Sequence, residues 1–225
     1  MIHLREVRKT FAQPGGGRLT VLDVPSFAMA AGEQVALVGQ SGGGKTTLLH
    51  LIAGLLAADS GTVQVAGIDL MGLSEQGRDR FRAASVGYVF QTFNLMPAFS
   101  AIENVRLGMT FARGKSDAAR AAELLDRVGL SDRAAYRPDQ LSVGQQQRVA
   151  IARALAGRPK VLLADEPTAN VDPVSAENVL RLIRDSCREE NVSLLCVTHD
   201  RSVAEQFDRI DRLEDINQAF ASVPT

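Results

Sequence analysis

The stretch from Gly39 to Thr47 constrains this chain more than any other part of its sequence. It consists of Gly-Gln-Ser-Gly-Gly-Gly-Lys-Thr-Thr, and it lies between the apolar run Val35 to Val38 and a second apolar run, Leu48 to Leu55. Glycines let the backbone curl so that successive N–H groups point inward, and a following helix adds partial positive charge at the same place. A glycine-rich turn with a surface lysine is the alternative. The pattern G-x-x-x-x-G-K-[ST] between a strand and a helix favours a phosphate-binding loop.

Two side chains of this loop carry its chemistry. Lys45 would contact the β- and γ-phosphates of a nucleotide, and the Thr46 hydroxyl would ligate Mg²⁺. The other residues that we expect to bind the nucleotide are Gly39, Gln40, Ser41, Gly42, Gly43, Gly44 and Thr47.

Length, charge and cysteine content narrow the class of protein. A chain of 225 residues can bury a sizeable core as one domain, with or without an inserted subdomain. Its formal net charge is −1, with 25 basic and 26 acidic residues, so we expect no nucleic-acid partner. Cys187 and Cys196 lie in apolar surroundings, which is typical of small buried side chains in a reducing cytosol. The longest apolar stretch, Leu48 to Ala58, is about half the roughly 20 residues of a membrane helix, so any membrane role is expected to need a partner.

The order of strands and helices predicts an α/β nucleotide-binding fold. Buried strands are predicted at 86–90, 161–164 and 193–198, and alternating strands at 2–11, 19–28 and 62–67. From residue 92 to 158 the chain is rich in alanine and predicts three helices. The first runs from Ala101 to Phe111 with Ser100 as its cap, and the third runs from near Ser142 to Gly157. The second is capped by Ser116 or Asp117, ends near Gly129 and has one apolar stripe, formed by Ala121, Leu124, Leu125 and Val128. We therefore predict one domain: a core of residues 1–91 and 159–213, an inserted helical subdomain of residues 92–158, and a weakly patterned tail of residues 214–225.

Polar residues follow three of the predicted buried strands. Asp165 and Glu166 follow one of them: Asp165 would hold Mg²⁺, and Glu166 would polarise the hydrolytic water. Gln91 could ligate Mg²⁺ or water through its amide, although a surface glutamine is the alternative. His199 could hydrogen-bond the γ-phosphate or the water. Solvated acids at a strand end are the alternative for the carboxylates, but the phosphate loop favours a catalytic role.

A second anion site is predicted at the start of the helix near Ser142. The segment Leu141 to Arg148 offers a serine hydroxyl and the N–H of Gly144 at a helix N-terminus. One chain does not need two γ-phosphate sites for one nucleotide, so this site makes sense if it serves a nucleotide held by another copy. Phe11, at the end of the first strand, could stack on a nucleobase or pack in the core.

Taken together, these residues resemble the ATP-binding cassette ATPases of membrane transporters over residues 2 to 213, with every motif in order. The matching segments are the adenine-stacking aromatic Phe11, the Walker A loop Gly39 to Thr46, the Q-loop Gln91, the signature Leu141 to Gln145, the Walker B strand Leu162 to Glu166, the D-loop Asp172 and the switch histidine His199.

The resemblance implies a P-loop NTPase core of the RecA type with a mostly parallel sheet, an N-terminal antiparallel β subdomain and an inserted helical subdomain. It also implies ATP and Mg²⁺ as cofactors, and a head-to-tail dimer. In that dimer Ser142, Gly144 and Gln145 act on the ATP of the partner subunit. A separate permease would be contacted near Gln91 to Pro97, with the chain peripheral at the cytoplasmic face of the bacterial inner membrane.

The segments 89–97 and 102–105 resemble the subgroup that serves lipoprotein release, macrolide efflux and, more distantly, cell division. We therefore predict an ATPase subunit of the export or mechanical-transmission type. A regulatory ATPase of a division or cell-wall complex, and an importer ATPase, are the alternatives.

Three departures from the family pattern are visible. Val143 stands where the signature usually has glycine, and because a β-branched residue needs a negative φ, we expect Gly144 to make the close N–H contact. The D-loop, Ala169 to Asp172, differs from Ser-Ala-Leu-Asp but keeps the aspartate. The tail lacks the usual glycine turn, so no element is predicted beyond Leu213.

Overall fold

The computed structural model describes residues 1–113 and 116–219 and contains two sheets with helices packed around them. The strands are β1 (Ile2–Ala12), β2 (Arg18–Met29), β3 (Gln34–Val38), β4 (Ser60–Val65), β5 (Ile68–Asp69), β6 (Val86–Val89), β7 (Val161–Asp165), β8 (Ser193–Thr198) and β9 (Arg209–Arg212). The α-helices are α1 (Lys45–Ile52), α2 (Glu75–Ser85), α3 (Ala101–Arg113), α4 (Ala118–Arg127), α5 (Val143–Ala156), α6 (Pro173–Glu189), α7 (Arg201–Ala204) and α8 (Leu213–Ile216). Within the described ranges, no helix is both long and apolar enough to cross a bilayer.

The smaller sheet is antiparallel and has the order β2-β1-β4-β5. Strand β1 pairs antiparallel with both β2 and β4, and its residues Ile2 and Leu4 point into the core. The glycine-rich stretch 13–17 closes the β1–β2 hairpin, as its composition predicts.

The larger sheet is parallel and has the order β6-β7-β8-β3-β9. Its central strands β7 and β8 are buried on both faces, which explains why they are nearly continuous apolar runs. Alternate residues face two separate cores: Leu162 and Ala164 pack with α3 to α6, while Val161 and Leu163 pack with α1 and the antiparallel sheet. The predicted combination of a parallel and an antiparallel sheet is confirmed, and the carboxyl ends of β3, β6, β7 and β8 meet at one edge.

Helices α3, α4 and α5 pack on one another beside the parallel sheet. Asp117 rather than Ser116 caps α4, because its carboxylate accepts a hydrogen bond from Arg120 N at 3.1 Å. This helix ends at Arg127, two residues short of Gly129, while α3 runs two residues beyond the predicted Phe111. The predicted apolar stripe of α4, Ala121, Leu124, Leu125 and Val128, is buried.

The chain beyond Leu213, for which no element was predicted, packs against the core as far as residue 219. Helix α8 starts at Leu213, which is fully buried. Asn217 is also buried, and it joins strand β2 by accepting a hydrogen bond from Asp23 N at 2.7 Å and donating one to Val21 O at 2.9 Å. Residues 220–225 of the predicted tail lie outside the described residues.

Candidate nucleotide-binding site

A cavity of about 470 Å³ opens where the strands of the parallel sheet end. It brings together eleven of the residues that the sequence predicts for the site. The lining residues are Phe11, Val21, Ser41, Gly42, Gly44, Lys45, Thr46, Thr47, Gln91, Asp165, Glu166 and His199. Of the predicted loop residues, Gly39, Gln40 and Gly43 do not line this cavity, and they contribute the backbone that shapes it.

The phosphate loop needs glycine at position 44 for two reasons. Gly44 has a φ of 97° and immediately precedes α1, so the backbone turns sharply into the helix. A Cβ at this position would also lie 3.1 Å from the backbone oxygen of Val21. The turn directs the unpaired N–H groups of the first helical turn, and the positive end of the helix dipole, to the cavity.

Lys45 is the cation at the start of α1, and it is only 7% exposed. Its Nζ donates hydrogen bonds to the backbone oxygens of Gly39 at 2.7 Å and Gln40 at 2.9 Å. These bonds give the buried ammonium group partners within the loop itself. Phosphate oxygens can take the place of the two carbonyl oxygens, because both are oxygen acceptors and the phosphate also carries charge.

Asp165 ends β7 and is 6% exposed. Its Oδ2 lies 3.5 Å from the hydroxyl of Tyr88, and its Oδ1 is buried without a hydrogen-bond partner among the described residues. Burial raises the pKa of the Asp165 carboxyl; the nearby Thr46 hydroxyl opposes this rise, and the charge of Glu166 adds to it. An orphaned carboxylate oxygen beside a threonine hydroxyl fits Mg²⁺, which prefers oxygen ligands.

Glu166 follows Asp165 and adopts a left-handed backbone conformation with a φ of 47°. This conformation costs Glu166, like any residue with a side chain, about 1 kcal/mol or more. Its N–H donates to Val197 O at 3.0 Å, which ties the turn to β8. Its Oε1 lies 2.8 Å from His199 Nδ1, and its Oε2 accepts a hydrogen bond from His199 N at 3.3 Å. The turn thus directs the carboxylate to the residue that follows the neighbouring strand.

Gln91 follows β6 and is exposed at the rim of the cavity. Its backbone oxygen accepts a hydrogen bond from Asn170 Nδ2 at 2.7 Å. The loop after β6 is therefore linked to the segment that leads to Asp172, which caps α6 by accepting a hydrogen bond from Ser175 N at 3.0 Å.

The predicted second anion site lies elsewhere in the chain. Ser142 caps α5 in a reciprocal arrangement: its Oγ accepts from Gln145 N at 3.3 Å, and Gln145 Oε1 accepts from Ser142 N at 2.9 Å. Ser142, Gly144 and Asp172 line a second cavity of about 680 Å³, which shares no lining residue with the first. Val143 is the first residue of α5, where the helical backbone has a negative φ, and its side chain is 47% exposed.

Two residues of the site were not identified from the sequence. Tyr88 lies on β6 and reaches Asp165 with its hydroxyl, while its ring stacks on Phe90 at 4.2 Å between centroids. Val21 lies on β2 and lines the cavity beside Phe11. Side chains alternate between the two faces of a strand, so the sequence could have indicated that Tyr88 and Phe90 lie on the same face of β6. No pattern in the sequence connects Val21 to the phosphate loop.

The comparisons with known proteins agree with this geometry. A family model described as ABC transporter matches residues 22–169. The chain belongs to the ABC transporter family. As an ABC ATPase it has the fold class and the family that its motifs predict.

Similar proteins cover nearly the whole chain of this ABC ATPase. The lipoprotein-releasing system ATP-binding protein LolD of Ruegeria sp. is 47% identical over 218 residues, which cover 95% of each chain. The macrolide export ATP-binding/permease protein MacB of Rhodopirellula baltica is 43% identical over 219 residues, and the match covers 96% of this chain but 32% of MacB. Among solved structures, a dimer of the ATP-binding cassette MJ0796 bound to ADP and Pi is 36% identical with a TM-score of 0.87, covering 97% of this chain and 95% of the other.

Proposed function

We propose that this ABC ATPase is the energy-supplying subunit of an export or lipoprotein-releasing transporter, and that it drives a separate membrane permease. The observation that carries the proposal is the convergence of Lys45, Thr46, Asp165, Glu166 and His199 on one cavity. LolD relatives of matching length, named lipoprotein-releasing, support the cargo class, and the name of the MacB relative joins an ATP-binding part to a permease.

Each residue of the cavity has a separate task in this proposal. The loop N–H groups and Lys45 hold the phosphates, and Phe11 stacks on the adenine. Thr46, Asp165 and Gln91 would hold Mg²⁺, which supplies positive charge to the phosphoryl oxygens. The orphaned Oδ1 of Asp165 supports this ligand set.

Glu166 is the proposed general base. Its carboxylate is held by His199 through the ring Nδ1 and the backbone N–H, so it is positioned before the nucleotide arrives. In this role Glu166 accepts a proton from the attacking water. The other ring nitrogen of His199 is then the group that would contact the γ-phosphate.

A second copy of the chain would complete each site. Ser142 and Gly144 start α5 in a cavity separate from the phosphate loop, so within one chain they cannot contact the nucleotide that the loop holds. In a head-to-tail dimer Ser142, Gly144 and Gln145 would face the ATP of the other subunit, with Asp172 beside them. The dimeric form of the similar structures supports this arrangement.

The permease would dock on a third cavity of about 930 Å³, between β6 and the helices α2, α3 and α5. Its lining includes Met96 and Phe111, and the side chain of Phe111 is 75% exposed. Arg153 holds the loop after β6 by donating a hydrogen bond to Phe93 O at 2.8 Å. This loop links the apolar surface to Gln91 at the nucleotide cavity, so a permease bound here at the cytoplasmic face of the membrane could respond to ATP.

The test begins with Glu166→Gln. We expect this variant to bind nucleotide and to turn over ATP at least about 100-fold more slowly, because a positioned base is lost. Turnover close to that of the wild type would exclude the role of Glu166. When the tagged variant is purified from membranes of its native host with MgATP, we expect a permease to co-purify.

Two further variants locate the docking surface. Phe111→Asp in the Glu166→Gln protein should abolish permease recovery, because a charge is placed in the apolar contact. Ile68→Asp, at an exposed apolar residue of the edge strand β5, is the matched control and should retain it. Recovery free of any membrane protein would contradict the transporter role, and equal recovery with both variants would contradict this docking site.

A further inference from the structure

We propose that the segment Leu213–Asn217, here called the C-terminal brace, positions the phosphate loop and that Glu214 and Asn217 are positioning residues for nucleotide binding. This inference rests on nucleotide binding in the cavity described above. It assigns a role to a segment for which the sequence predicted no function, and no element beyond Leu213.

The first contact of the brace is a hydrogen bond to the start of the phosphate loop. Gln40 N donates to Glu214 Oε1 at 3.0 Å. The backbone oxygen of the same residue accepts a hydrogen bond from Lys45 Nζ at 2.9 Å. The backbone N–H and C=O of Gln40 are therefore held from two sides, one by an acid of the brace and the other by the lysine that would bind phosphate.

The second contact is the close packing of Leu213 on Gly39. A Cβ added to Gly39 would lie 3.0 Å from Leu213 Cβ and 3.4 Å from Glu214 Oε1. Gly39 has no positive φ, so its lack of a side chain is explained by this approach and not by backbone conformation. The first glycine of the loop thus makes room for the brace.

The third contact reaches the other end of the loop through strand β2. Asn217, 1% exposed, bonds to Asp23 N and Val21 O, and so fixes the strand at Val21. The oxygen and the Cγ1 of Val21 both lie about 3.1 Å from the position of a Cβ on Gly44. The brace therefore holds the loop at Gly39 and Gln40 directly, and at Gly44 through Val21.

Binding of a phosphate changes the hydrogen bonds that hold the start of the loop. Lys45 has to exchange the oxygens of Gly39 and Gln40 for phosphate oxygens, which removes two of the bonds that hold the start of the loop. The bond to Glu214 does not compete with phosphate, so it keeps Gln40 in place during that exchange. Without it, part of the binding free energy has to order the loop, and the affinity falls.

The test compares three full-length variants by calorimetric titration with ADP in the presence of Mg²⁺. We expect Glu214→Ala to weaken ADP binding about threefold to tenfold, the scale of one lost hydrogen bond. Glu214→Gln keeps an oxygen acceptor and should bind within about twofold of the wild type. Asp215→Ala removes a neighbouring exposed acid from the same helix and should leave binding unchanged.

A second measurement separates loop positioning from general stability. Hydrogen exchange of peptides that cover the phosphate loop should be faster in Glu214→Ala than in Glu214→Gln, while peptides from β7 should exchange alike. If Glu214→Ala binds ADP as the wild type does, or exchanges no faster at the loop, the brace has no positioning role.

If Glu214 mainly repelled the phosphates, Glu214→Ala and Glu214→Gln would both bind ADP more tightly than the wild type. That result would also overturn the proposal. Failure of the wild type itself to bind ADP would contradict the proposed nucleotide site, and so it is distinguishable from failure of the brace.

Discussion

Replacing Asp165 by asparagine should make the ligand-free protein more stable and weaken its stabilisation by MgADP. Asp165 Oδ1 is buried without a partner in the described structure, and such a group costs about 1–3 kcal/mol of stability. Asparagine removes the buried charge and its repulsion with Glu166. Its amide is still a polar group in the same buried place, so only part of the 1–3 kcal/mol is regained. We therefore expect a gain of about 1 kcal/mol, which corresponds to about 2–4 °C in Tm for a chain of this size.

The sign of the pH dependence follows from the raised pKa of Asp165. A raised pKa in the folded state means that the stabilisation is complete below the unfolded value of about 3.9 and is lost as the pH rises through the folded pKa. Above the folded-state pKa the ionised carboxylate destabilises the folded protein by the full amount. The advantage of Asp165→Asn should thus be largest there and should shrink toward acid pH.

The assay is thermal unfolding followed by circular dichroism, with and without MgADP. Without ligand and with EDTA, Asp165→Asn should melt above the wild type, while the exposed control Asp208→Asn should stay within about 0.5 kcal/mol of it. At 100 times the Kd, MgADP should add about 2.7 kcal/mol to the wild type and less to Asp165→Asn, which lacks a metal ligand. A lower Tm for Asp165→Asn in EDTA would refute the assignment of an unsatisfied carboxylate.

Two further predictions concern the stacking of Phe11 on a nucleobase and the loss of stability at acid pH. Phe11→Ala should weaken ADP binding about threefold to tenfold in the same calorimetric titration, because a stacked ring is lost at the cavity. Phe99→Ala is the control, since Phe99 and Phe11 are both 39% exposed; equal effects of both variants would contradict the stacking role. Hydrogen bonds from the hydroxyl and the N–H of Thr10, aided by Lys9, lower the pKa of Asp59 to about 2. The stabilisation that this carboxylate gives is present above about pH 4 and is lost as the pH falls through about 2, so urea unfolding of Asp59→Asn should depend less on pH over that interval. An unchanged pH dependence would contradict this account.

The sequence predicts the elements that depend on short-range patterns. The phosphate loop is a local structure: glycines, a lysine and the start of α1 lie within nine consecutive residues, and their geometry follows from backbone freedom and helix termini. The buried strands β7 and β8 are recognisable because both faces of a parallel sheet are covered, which makes them continuous apolar runs. The polar residues that end these strands converge because parallel strands end at the same edge of the sheet.

The exact side-chain geometry at that edge was not predictable. No spacing in the sequence indicates that Glu166 adopts a left-handed conformation, or that its carboxylate lies 2.8 Å from His199. The register between β7 and β8 decides both, because it sets which residues lie side by side where the two strands end. Tyr88 likewise reaches Asp165 only because β6 pairs directly with β7.

Local sequence therefore determined the nucleotide chemistry of this protein, and tertiary structure decided what holds that chemistry in place. The loop motif is encoded within one strand–turn–helix unit, so it is visible in the sequence without any knowledge of the rest of the chain. Glu214 and Gln40 are 174 residues apart, and their contact exists only because β9 adds to the sheet beside β3 and carries α8 to the loop. A hydrogen bond between such distant residues leaves no periodic or local signal in the sequence, since it depends on the packing of the whole sheet between them.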